Sequence, residues 1–128
     1  MGMYSYTEYC DLRIKDGKKD EFLKWLDEHE DYKEVVEIYD DNIVEIDVDG
    51  WKIIGYWYDE FLDELEELNK FLIGTWCLIF ETHEEMAIIE FGKEEVKISL
   101  GTMEFKDYKI EDFRILNEEI EKEFGVEK

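Results

Sequence analysis

Apolar residues in this chain keep switching between two periods, and that alternation decides what class of fold it can form. Tyr4, Tyr6, Cys10, Leu12 and Ile14 share the even positions, while Ser5, Thr7, Asp11 and Arg13 take most of the odd ones. Period two is the pattern of a strand with one buried face. After an Asp16-Gly17 turn, Phe22, Trp25, Leu26 and His29 recur at helical spacing, with Asp20, Lys24, Asp27, Glu28 and Asp31 on the other side. This predicts an amphipathic helix over 18–31.

The alternation continues to the end. Val35, Val36 and Ile38 read as a short strand. Residues 43–48 and 51–57 read as the two arms of a hairpin around Asp49-Gly50, a pair suited to the positive φ angles of a type I′ turn. Asp59 is the expected N-cap of a second helix with the stripe Phe61, Leu62, Leu65, Leu68 and Leu72, and Gly74 its expected stop. Strands follow over 75–81, 86–91, 94–100 and 102–105, then a helix over 111–124 carrying Phe113, Leu116, Ile120 and Phe124. The expected architecture is one α+β domain over residues 1–128. It has a mainly antiparallel sheet of about six to eight strands, with two to three amphipathic helices packed on it.

Charge limits what such a domain can do. Asp and Glu number 37 against 15 Lys and Arg, a formal net charge of −22. No basic stripe exists to neutralise phosphates, so direct nucleic-acid binding is excluded as an expectation. Docking on an anionic membrane surface is disfavoured for the same reason. Leu, Ile, Val and Phe still supply 38 of the 128 residues, enough aliphatic and aromatic mass for a packed core. No apolar run approaches the ~18 residues that span a bilayer. Met1 to Ser5 offers no basic region ahead of an apolar core. Cys10 and Cys77, far apart among apolar neighbours, read as reduced core thiols, and the expected location is the cytoplasm.

Chemistry-bearing patterns are few. Glu45-x-Asp47-x-Asp49-Gly50 has the alternation of a calcium loop, but the bidentate acid required at its twelfth position is replaced by Tyr56. His29 lies on an apolar stripe, and His83 has no second histidine four residues on. A zinc site would need both histidines to converge with both cysteines. Ser5, Ser99 and the threonines sit in strand patterns, not in a glycine-flanked nucleophile elbow, and no glycine loop could cradle a phosphate. No catalytic role, metal or cofactor is therefore assigned.

What remains is the placement of acids. Asp59, Asp63, Glu66 and Glu67 share the side of the second helix opposite its leucines, flanked by Glu60 and Glu64, and Lys70 is the one local base. Glu118, Glu119 and Glu121, with Glu111 and Glu123, repeat the pattern on the last helix, and Asp40 and Asp41 add to it from a turn. Like charges three or four residues apart cost roughly 0.2–0.5 kcal/mol per pair. A helix built only for solubility interleaves Lys with Glu and avoids that cost. The candidate partner-binding residues are Asp59, Glu60, Asp63, Glu64, Glu66, Glu67, Glu118, Glu119, Glu121, Asp40 and Asp41. On this reading Asp63→Ala is neutral or slightly stabilising, because it removes a like-charge neighbour.

In size and charge the chain resembles two groups of small acidic α+β proteins. One is the nucleic-acid-mimicking inhibitors made by phages, anti-CRISPR proteins among them; the other is the immunity proteins that neutralise nuclease toxins. The resemblance implies a non-enzymatic inhibitor that docks by charge on a basic, nucleic-acid-handling protein. Two other readings stand beside it. One is a small enzyme or ligand-binding domain using an aromatic pocket made from Trp51, Tyr56, Trp57, Tyr58 and Trp76. The other is a homodimer formed through an exposed strand or aromatic patch, since Tyr4, Tyr6, Tyr9 and Tyr58 are more tyrosine than one small core hides.

Overall fold

The strand β1 (Gly2–Ile14) is the spine of the molecule. A computed structural model of the protein describes residues 2–54, 59–80 and 85–124, with side chains except at 2–4, 50–54, 120, 123 and 124. Along one edge β1 pairs with β5 (Leu72–Phe80), from Ser5↔Phe80 to Ile14↔Leu72. Its other edge is shared end to end by β3 (Ile43–Ile46), at Leu12↔Val44, and β4 (Asp49–Ile54), at Ser5↔Trp51. With β2 (Val36–Ile38), β6 (Met86–Phe91), β7 (Lys97–Gly101) and β8 (Phe105–Lys109), the order is β2-β3-β1-β5-β6-β7-β8, with β4 also beside β1. Every pairing is antiparallel, so the α+β class expected from the periodicity is the one observed.

Asp49-Gly50 does not turn a hairpin. The residues lie inside β4, and β3 and β4 pair with β1 rather than with each other. Thr7 manages the junction between them. Its amide donates to the Val48 carbonyl, its Oγ1 donates to the Ile46 carbonyl, and it accepts from the Val48 amide and from Trp76 Nε1. A β-bulge at Thr7/Tyr9 also reverses the parity of β1. Leu12 and Ile14 are buried as expected, but ahead of the bulge it is Ser5 that points inward, and Tyr6 lies on the other face.

Helices α1 (Lys19–Asp27), α2 (Glu30–Val35), α3 (Asp59–Phe71) and α4 (Ile110–Phe124) pack on one face of the sheet. The single helix expected over 18–31 is broken at Glu28-His29. His29 Nδ1 donates to the Trp25 carbonyl, the group a continuous helix would give to the His29 amide, and the two rings stack at 3.9 Å. The stripe Phe61, Leu62, Leu65 and Leu68 of α3 is buried against Leu12, Trp76 and Leu78. Asp59 is the first helical residue rather than the cap, and α3 runs straight into β5 at Leu72. Gly74 therefore ends no helix. It sits in β5 with φ +125°, where any Cβ would overlap the Asp11 carbonyl oxygen of β1. In α4, Ile110 and Phe113 are buried but Leu116 is exposed, and the side chains of Ile120 and Phe124 lie outside the described residues.

Candidate functional site

Helix α3 is flanked on both sides, and its acids are divided between the two flanks. Towards α1 and α2, Tyr32 Oη donates to Glu64 at 3.0 Å, and Trp25 Nε1 donates to Glu67, which also lies 3.6 Å from His29 Nε2. Towards α4, Arg114 binds Asp63 and, at 2.9 Å, Glu66, while Asn117 Nδ2 donates to Asp59 at 3.3 Å. The candidate acids of this helix thus do not form one free solvent face, and Lys70 is not their sole counter-charge. Asp63 is a partner of Arg114, so its removal also loses an ion pair and not only a like-charge neighbour.

A cleft of about 530 Å³ opens between α3, the start of α4 and the β6–β7 loop. Asp63, Glu66 and Glu67 line it from α3, Glu111 from α4, and Glu94 and Glu95 from the loop; Lys70 is the base among the lining residues. Asn69 fixes the loop wall. Its Oδ1 accepts from the Gly92 amide at 2.7 Å and its Nδ2 donates to the Lys93 carbonyl at 2.9 Å. Gly92 adopts φ +103° there, packed on Ile73. Glu95 is also paired with Lys109 at 3.3 Å. Sequence reasoning missed Glu94 and Glu95; the adjacent acids after Gly92-Lys93 were visible, but nothing local joins that loop to α3.

A second, shallower concavity of about 240 Å³ lies on the opposite flank of α3, lined by Glu28, His29, Glu30, Asp31, Tyr32, Glu60 and Glu64. Burial raises the Glu64 carboxyl above the usual range, and the nearby Glu60 adds to this, while the Tyr32 hydroxyl and His29 oppose it. The remaining candidates lie elsewhere. Glu118, Glu119 and Glu121 are exposed on α4, beyond the cleft. Asp40 and Asp41 occupy the turn between β2 and β3, where Asp41 has φ 64° and its carbonyl accepts from Arg13.

The aromatic cluster resolves only in part. Trp76 is fully buried, edge-on to Phe61, and belongs to the core. The side chains of Trp51, Tyr56, Trp57 and Tyr58 lie outside the described residues. Cys10 and Cys77 are free thiols, both pushed up to about 11, chiefly by burial. Among the described residues no group of three or more His, Cys, Asp or Glu is arranged to hold a metal ion, and no helix is long and apolar enough to cross a membrane. No family model, no curated protein and no solved structure matches the chain.

Proposed function

We propose that the protein is a binding protein that inhibits a basic, nucleic-acid-handling partner, docking by charge through the α3–α4 cleft and the exposed acids of α4. The observation that carries this reading is the cleft, which six acidic residues line with Lys70 as the base among them, three of the six being paired already with Arg114 or Lys109. A lysine or arginine side chain from a partner would enter it and gain charge-assisted hydrogen bonds. Glu118 and Glu119 extend the same sign of field along α4, which steers a basic surface from a distance.

The test is capture of the partner from the native host, followed by polyanion competition. A partner with a basic groove, displaced from the protein by duplex DNA or heparin, supports the reading. A captured partner that polyanions do not displace contradicts it.

A further inference from the structure

The sheet has a second face, on which no described helix packs. Tyr9 and Ile73 are 47% and 49% exposed there, with Phe105 also exposed. Pairing registers place Tyr9, Cys77 and Ile88 in one row across β1, β5 and β6, and Tyr6, Ile79 and Met86 in the next. Over β1, β5 and β6 this is an apolar band in a molecule of net charge −22, and its first row continues through Ser99 on β7 to Asp107 on β8.

The row beside that band carries a gradient of charge. Reading across the sheet, it runs Glu37 on β2, Glu45 on β3, Asp11 on β1, Thr75 on β5, Glu90 on β6, Lys97 on β7 and Lys109 on β8. The register Leu12↔Val44 continues to place Asp11 beside Glu45. One end of the row is acidic and the other basic, and β5 is the middle strand of the seven-strand path.

We infer that this face is the seat of a second copy of the chain, related by a two-fold axis along β5. That axis lays β3 over the partner copy's β7 and β2 over its β8. Glu45 then meets Lys97 of the other copy, Glu37 meets Lys109, and Tyr9 packs on Ile88. Asp11 meets Glu90, which Lys97 approaches to 3.4 Å; Lys97 also lies 3.6 Å from Asp107 and Lys109 3.3 Å from Glu95, so both lysines are shared between an acid of their own chain and one of the other copy. Sheets packed face to face rotate by about 30°, an offset that long Glu and Lys side chains span. The acids of α3 and α4 stay on the outer layers, farther from the seam than the ~8 Å Debye length at physiological salt. Their repulsion is screened, and the cleft stays open in the dimer.

The test is sedimentation of the protein itself at about 50 µM and physiological salt, with circular dichroism as the folding control. The wild type sediments as a dimer, and Tyr9→Glu and Ile73→Glu each shift it to monomer while remaining folded. Glu45→Lys and Lys97→Glu each weaken the dimer about tenfold, and the double variant restores it. Within one chain these positions are four strands apart, about 19 Å at the usual strand spacing, so restoration reads a contact between copies. A monomeric wild type, or a dimer that survives Tyr9→Glu and Ile73→Glu, overturns the inference. A double variant as weak as the single ones overturns the two-fold along β5.

Discussion

The Arg114 guanidinium pairs with the carboxylates of both Asp63 and Glu66, and so ties α4 to α3 beside the acidic cleft that these two acids line. Removing it leaves both carboxylates without their ion-pair partner. Arg114→Ala is expected to lower stability by about 1–2 kcal/mol, above the usual value of one exposed pair because two pairs are lost together. Arg114→Lys should recover part of this, since an ammonium cannot match the planar fork. Urea unfolding of the three proteins reads the difference.

Core and surface of α3 should separate cleanly. Leu65 is fully buried, so Leu65→Ala should cost about 2–5 kcal/mol. Asp63→Ala should cost about 0.5–1 kcal/mol through its lost pair with Arg114. Glu119→Ala, on an exposed face of α4, should stay within about 0.5 kcal/mol of wild type. Equal losses at all three positions would mean that the α3 phase is wrong.

The core side of α3 was legible because Phe61, Leu62, Leu65 and Leu68 repeat at helical spacing within a single segment. Its acid side was not, because Arg114 lies 51 residues from Asp63 in sequence and Trp25 lies 42 from Glu67. No local pattern reports pairings of that range. Asp49-Gly50 has sound turn chemistry, but a turn preference does not say which strand is the neighbour. A 13-residue β1 offers one long edge, and β3 and β4 share it. The break at His29 was hidden for a related reason: an imidazole replacing a backbone amide leaves the spacing of apolar residues unchanged.

Mild acidification should stabilise the fold in part through Glu64. Its folded carboxyl holds a proton more readily than in the unfolded chain, because burial disfavours the charged form. That contribution is fully present below the ordinary glutamate value of about 4.3 and is lost as pH rises through the raised folded value. Glu64→Gln should therefore be more stable than wild type at pH 7, with the gap closing as pH falls towards 4. Thermal melts across that range, compared as a difference between the two proteins, cancel the other titrating groups.

Both thiols should be inert in the native state. Cys10 and Cys77 are held near 11, so little thiolate exists at pH 8. A thiol reagent at that pH should label neither at an appreciable rate, and both rapidly in denaturant. Fast native labelling at one position would show that its cover opens.

Docking of a basic partner on the acids of the cleft and α4, as proposed above, is open to a direct test. The decisive measurement is association kinetics of the captured partner with wild type and with the combined variant Glu94→Lys, Glu111→Lys, Glu118→Lys and Glu119→Lys. These four are exposed, whereas reversing Asp59, Asp63, Glu66 and Glu67 would also break the links to Asn117, Arg114 and Trp25. The account predicts a folded variant whose association is slowed by about tenfold or more, and wild-type association that slows as salt rises. A folded variant that associates at the wild-type rate, with wild-type binding indifferent to salt, would contradict it.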